Sequence, residues 1–235
     1  MDFSAFSGPA FWAALLSIIV ANILLSGDNA VVIALASRNL PAHQQKKAIF
    51  WGSAAAIILR VVLTVTAVQL LTLPYLKIIG AILLVYIGVQ LLADSDDEGE
   101  MEGSSNIWGA IRTILVADLV MSLDNVLAVA AAAQKGPEET RLALLIIGLG
   151  LSIPLIIFGS TMLLKVMDRF PIIITLGAGL LGLLAGGMLV EDPAIKESMQ
   201  AAFEDAHMIF EGIGVAIVIL LGSYLKKKNV SNEAK

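Results

Sequence analysis

Apolar residues fill this chain in long runs, with polar residues confined mostly to short breaks between them. The runs cover residues 10–37, 47–71, 75–93, 107–133, 141–166, 171–190 and 208–225. Each approaches or exceeds the roughly 20 residues that a helix needs to cross a bilayer. None alternates as the shorter strands of a membrane barrel would. The pattern predicts an all-α integral membrane protein of seven transmembrane helices. The breaks carry helix punctuation: Arg38 to Pro41, Leu73-Pro74 and Gly136-Pro137. Pro154 falls inside the fifth run and predicts a bend there, because proline removes a backbone donor. Residues 192–207 are different. Ile195, Met199, Ala202 and Ala206 recur at helical spacing behind Asp192-Pro193, which predicts a short amphipathic helix on the membrane surface.

Polar residues inside the runs are few, and they repeat. The first run contains Ser26, Asp28 and Asn29, and the fourth contains Ser122, Asp124 and Asn125, each 96 positions on. Over residues 20–36 and 116–132 the identities are Val20, Ala21, Ser26, Asp28, Asn29, Ala34 and Ala36. Asn22 is matched by Asp118. Pro41 and Gly52 find Pro137 and Gly148 at the same offset, and after one inserted residue Pro74, Gly80 and Asp94 match Pro171, Gly177 and Glu191. Residues 10–93 thus form one repeat and 107–191 a second, within a single membrane domain spanning 1–235. A unit of three spans is odd, so its second copy enters from the opposite side. The expectation is an inverted repeat of three plus three helices with an extra C-terminal helix. In such folds the binding site lies where the repeats meet.

A carboxylate at mid-membrane costs about 2.5–3.5 kcal/mol on insertion scales. Asp28, Asp118 and Asp124 therefore need protons, a basic partner or a bound cation. Arg60 is the one deep basic residue, and it cannot neutralise three acids. Asn22, Ser26 and Asn29 share a helical stripe, as do Asp118, Ser122 and Asn125. Asp28 lies about 100° from Asn29 in a regular helix. A local unwinding at Ser26-Gly27 would turn it inward. The candidate metal ligands are Asp28, Asn29, Asp118, Asp124 and Asn125. Asn22, Ser26, Ser122, Arg60 and Glu191 are candidates for further ligation or gating. An all-oxygen set without cysteine selects hard divalent cations such as Mn2+, Ca2+ or Mg2+. The plainer account of one Asp-Asn pair is an interhelical hydrogen bond worth about 1 kcal/mol. Two copies in matching places make that account insufficient.

The remaining features have bland readings. Ala178, Gly182 and Gly186 read as a close-packing seam. Glu211 reads as an interfacial acid, and His43 and His207 as lone loop histidines without a ligand role. Glu191 and Asp192 cap the sixth run, where an acidic mouth could gather cations. The acidic stretch 94–102 reads as a solvated run. Composition narrows the class further: 58% of residues are hydrophobic and only 15% charged, and the mean hydropathy is +0.88. The absence of cysteine excludes disulfides and thiolate chemistry. No basic region opens the chain, so no cleaved signal peptide is expected. With the C-terminus cytoplasmic, ten Lys and Arg lie inside and four (Lys77, Lys135, Arg141, Lys196) outside, which predicts an external N-terminus.

The pair Ser-Gly-Asp-Asn-Ala in the first run and Ser-Leu-Asp-Asn-Val in the fourth, in a seven-span chain of this length, resembles the TerC family, in particular its short bacterial members. The family belongs with a wider group related to the lysine exporters. The resemblance implies export of metal ions, chiefly Mn2+, across the bacterial inner (cytoplasmic) membrane. It puts Asp28, Asn29, Asp124 and Asn125 on the family's metal positions and Asp118 on its preceding acidic position. Asn22 in place of a second acid makes the two halves unequal. The expected activity is secondary transport coupled to protons, not enzymatic catalysis. No permanent cofactor and no nucleic acid is expected; the partners are the divalent ion and the lipid bilayer. Two rivals remain at this level. One is an intramembrane aspartyl hydrolase, in which two aspartates share a proton to activate water. The other is a metal-loading partner of the secretion machinery. Homo-oligomer formation stays open.

Overall fold

The computed structural model describes residues 8–24, 27–70, 73–94, 106–151 and 153–233; the side chains of residues 23, 24, 66–70, 124, 127 and 230–233 lie outside that description. The described residues form helices α1 (Pro9–Leu24), α2 (Gly27–Ser37), α3 (Ala42–Leu70), α4 (Leu76–Ala93), α5 (Ile107–Gln134), α6 (Arg141–Gly150), α7 (Ile153–Arg169), α8 (Ile172–Val190), α9 (Lys196–Ala202) and α10 (Ala206–Glu233). Among the described residues, five helical stretches are long and apolar enough to cross a membrane, or up to seven if each of two bent pairs is one span. The protein is an all-helical, multi-pass integral membrane protein.

Both bends fall on the repeated motifs. The axis turns by 49° between 9–22 and 27–37, and by 62° between 107–123 and 128–134. The first run is thus carried by two helices, α1 and α2; Gly27 already opens α2, and Ser26, the other half of the predicted unwinding, lies outside the described residues. α6 ends at Gly150 and α7 begins at Ile153, one residue before Pro154, and residues 138–169 count together as one candidate span.

Three element boundaries differ from the expectation. α3 begins at Ala42, not 47, because Gln44 and Gln45 donate backbone N–H groups to the Pro41 carbonyl at 2.7 and 3.0 Å. His43 is therefore helical and not in a loop. α10 starts at Ala206 and runs to Glu233, well past the end of its apolar run. Lys226 to Lys228 are good helix formers and nothing there breaks the helix. His207 accordingly stands in the first turn of α10. The surface helix is confined to α9, which buries none of its residues.

The helices sort into two packed groups. α4, α8 and α10 lie together, and α1, α2, α3, α5, α6 and α7 form the other group. The α8–α10 seam brings backbones into contact: a Cβ added to Gly182, Gly186 or Gly214 would meet main-chain atoms of the facing helix. Without a hydrophobic driving force in lipid, such close approach is what holds membrane helices together. α4 and α8 are joined at one end by Asp192. Its carboxylate is fully buried and accepts backbone N–H groups of Tyr75 (2.9 Å), Lys77 (3.0 Å), Ile78 (3.2 Å) and Ala194 (2.8 Å). It thereby caps the N-terminus of α4 from the far end of α8. Tyr75, just after Pro74, is left-handed with φ 68° to deliver its N–H.

Candidate functional site

The motif residues divide between two places. The first is a cavity of about 190 Å³ between the two helix groups. Asp28 of α2 and Met121 and Asn125 of α5 line one side. Leu183, Leu184, Gly187, Met188 and Glu191 line the other, with His207 and Glu211 from α10. Asp28 sits in the first turn of α2 and accepts the Asn29 backbone N–H at 2.8 Å. A carboxylate is favoured there, because a helix N-terminus presents unsatisfied donors and the positive end of the helix dipole. The bend thus puts Asp28 in the first turn of a helix, where its carboxylate accepts a backbone N–H.

The end of the cavity is polar. Glu191 accepts Lys77 Nζ at 2.9 Å. His207 lies 3.6 Å from Glu191 through Nε2 and 3.8 Å from Glu211 through Nδ1. The hydrogen bond from Lys77 holds the Glu191 carboxyl below the usual glutamate range despite partial burial. Burial works to raise the neighbouring Asp192 carboxyl, but its four backbone hydrogen bonds together outweigh that and lower it.

The second place is a buried polar cluster where α1, α3 and α5 meet. Arg60 is 1% exposed. It donates through Nε to Ser122 Oγ (2.9 Å), through Nη1 to Asn22 Oδ1 (2.9 Å) and through Nη2 to Asp118 Oδ1 (2.5 Å). Ser122 Oγ in turn donates to Asp118 Oδ2 at 3.2 Å. Both Asp118 oxygens are therefore engaged by the protein. Asn29 is buried on α2 and shares with Asp118 a gap too narrow for water.

Of the residues singled out in the sequence, Asp28, Asn125 and Glu191 come together around the cavity. Asn22, Asp118, Ser122 and Arg60 come together in the cluster. Ser26 and the side chain of Asp124 lie outside the described residues. Among the described residues no three acids or histidines converge as a ready metal cage. His207 and Glu211, read from the sequence as bland, prove to line the cavity. The available signal was their i, i+4 spacing, which puts both on one face of α10.

At an end unrelated to this cavity lies a second polar recess of about 200 Å³, bordered by Asn39, Gln90, Leu91, Asp94, Asn106 and Thr113. Asn39 Nδ2 donates to the Asp94 carbonyl at 2.6 Å, and Arg38 Nη2 to that of Leu91 at 2.6 Å, which fastens the end of α2 to the end of α4.

Comparison with known proteins agrees with this picture of a membrane-embedded chain. The chain is 41% identical over 213 residues to a membrane protein of Bacillus subtilis, YjbE, termed uncharacterized, covering 91% of this chain and 95% of YjbE. It is 27% identical to YceF of the same organism, over 75% of this chain and 70% of YceF. YkoY, also from Bacillus subtilis, is 27% identical over 83% of this chain and 56% of its own length. No solved structure matches. The profile of the integral membrane protein TerC family matches residues 7–230, and the chain belongs to that family.

Proposed function

We propose that this protein is a secondary transporter that exports Mn2+ from the bacterial cytoplasm in exchange for protons. The observation that carries the reading is the cavity that joins the Asp-Asn motif of one helix bend, through Asp28, to that of the other, through Asn125, and continues to an end lined by Glu191, His207 and Glu211. A carboxylate and an amide oxygen in a polar recess between helix groups suit a hard divalent ion as substrate. Asn29 and Asp124, each adjacent in sequence to a cavity residue, complete the donor set of this reading. The same carboxylates can hold either a proton or the metal, so proton entry would release the ion.

The inverted repeat underlies this reading, and a pair of packing contacts supports it. A Cβ on Gly52 would meet Ile114, and one on Gly148 would meet Ile18. Gly52 and Gly148 are equivalents at an offset of 96, and so are Ile18 and Ile114. The same contact is thus made twice, once by each half. The two polar recesses correspond as well: Gln90, Leu91 and Asp94 in one are matched by Gly187, Met188 and Glu191 in the other, 97 positions on. With seven spans, an external N-terminus and a cytoplasmic C-terminus, the recess at Asp94 opens inward and the Glu191 cavity outward. An ion would pass between them as the α4–α8–α10 group moves against the other helices.

The test is Mn2+ flux in proteoliposomes holding the purified protein, with and without a pH gradient. Gradient-driven flux, lost in Asp28→Asn with folding intact, is the expected result. Flux that ignores the gradient would end the exchange reading. Binding of Mn2+ without any flux would favour a metal-loading partner instead.

A further inference from the structure

We infer that Arg60 is a tethered cation that permanently neutralises Asp118, which makes Asp118 its counter-ion and not a ligand of the transported ion. This rests on the export reading above and specifies its charge.

The two halves differ in charge at two positions near the motifs, and the differences cancel. Where the first half has Asn22 the second has Asp118, and where the first has Arg60 the equivalent position, 96 residues on, is Ile156. One half gains an acid; the other gains a base. The structure places that acid and base in contact, with Asn22, the matching position of the first half, on the same guanidinium. Arg60 therefore bridges the two equivalent positions, Asn22 on α1 and Asp118 on α5. A fixed, planar, permanently charged fork suits this task where a metal would need several oxygen donors and would exchange. Ser122 takes the Nε hydrogen and donates to the second Asp118 oxygen, so Asp118 presents no uncommitted oxygen to an ion in the cavity.

Charge then counts as follows. Asp118 and Arg60 form one ion pair, which leaves the ion's charge to the two motif carboxylates of this reading: Asp28, which lines the cavity, and Asp124, whose side chain lies outside the described residues. Their summed charge matches one divalent ion. Without Arg60 the three aspartates would attract more positive charge than a single Mn2+ supplies, and a tightly held ion cannot be released. Arg60 is a positioning residue in this account: it sets how many ions the site takes, and touches none of them.

Four proteins decide the matter: wild type, Arg60→Gln, Asp118→Asn and the double variant. Each is assayed for Mn2+ flux, for bound Mn2+ per chain by equilibrium dialysis, and for dependence of flux on an imposed membrane potential. Each single variant strands a charge and should lose flux at least tenfold. In Arg60→Gln the extra negative charge should also make residual flux depend more on potential than in the wild type, a change that a purely structural pair would not produce. The double variant removes both charges together. It should recover flux to within threefold of the wild type, bind one ion per chain, and show the wild-type response to potential. It is also the variant that keeps the question answerable if either single fails to fold, since it buries no lone charge. Arg60→Lys, which keeps the charge but not the fork, should fall between wild type and Arg60→Gln. A folded double variant as inactive as Asp118→Asn would make Asp118 a ligand and overturn the inference, as would full flux in Arg60→Gln. If the wild type neither binds nor carries Mn2+, the export reading falls first. The pair is then judged by melting temperature alone, and a double variant less stable than both singles overturns it.

Discussion

Asp192→Ala would remove the carboxylate that fastens α4 to α8. Four backbone N–H groups at 2.8–3.2 Å would lose their acceptor, in a place where the side chain is wholly buried. The Ala194 donor is local and can find another partner in its own turn. The other three belong to Tyr75, Lys77 and Ile78, at the start of α4, where no preceding helical carbonyl is available to them. A buried donor left unpaired costs about 1–3 kcal/mol. Three donors at the lower figure, with water entering the vacated space, give a loss of about 3 kcal/mol. That exceeds the roughly 0.5–2 kcal/mol of an ordinary N-cap, as expected for a cap that also joins two helices. For a chain of this size the loss translates to a fall in Tm of about 6–12 °C, using the soluble-domain conversion. Asp192→Asn keeps one oxygen but turns an amide toward two of the donors, and should lose about two-thirds as much. Tryptophan-monitored melts in detergent measure the shift, and hydrogen exchange should quicken at residues 75, 77 and 78. A Tm change below about 2 °C with unchanged exchange there would refute the clamp. The pH dependence has a fixed sign. Because the folded carboxyls of Asp192 and Glu191 sit below their ordinary values, the stability they add is complete above about pH 5. It is lost as pH falls through the folded values. Melts between pH 7 and 5 should not register them, and Asp192→Asn should flatten the acid limb.

The other predictions concern the seam and the site. Gly186→Ala would press a methyl onto the Phe210 carbonyl and should cost at least about 3 kcal/mol, at or above the usual range for overpacking. Gly52→Ala meets only the Ile114 side chain, which can turn away, and should cost about 1–2 kcal/mol; equal losses at the two positions would refute the distinction. Asp28→Asn should cut Mn2+ flux beyond the roughly 10–100-fold typical of outer-shell groups, with little change in Tm. Glu191→Gln and Glu211→Gln should raise the half-saturating Mn2+ concentration on their side of the membrane at low salt. That effect should shrink as salt screens the mouth; a salt-independent change would point to direct ligation.

Hydropathy made most of the helices legible, because lipid forces each span to satisfy its own backbone and leaves a long apolar run as its trace. The bend between 9–22 and 27–37 was legible too, through Gly27 beside an acid that a straight helix would misplace. The corresponding bend in α5 was not, since Leu123 stands where Gly27 stands in the first copy. Arg60 was visible as an anomaly, but its partners were not: 38, 58 and 62 residues separate it from Asn22, Asp118 and Ser122. Only the fold brings those together. The neighbours of His207 and Glu211 were hidden for a related reason. On their own helix they look like interfacial polar residues, and it is the glycine seam that presses α10 close enough to α8 for His207 to reach Glu191 and for both to line the cavity.

That seam has a consequence for biosynthesis. α10 follows the other described helices along the chain, and its 28 residues supply His207 and Glu211 to the cavity wall. While the ribosome still holds them, the glycine face of α8 has nothing to close upon, and Asp28 and Asn125 look onto an unfinished groove. The recess acquires its full lining only once α10 has followed the other helices, so a chain terminated before α10 would insert its earlier spans and still lack this recess.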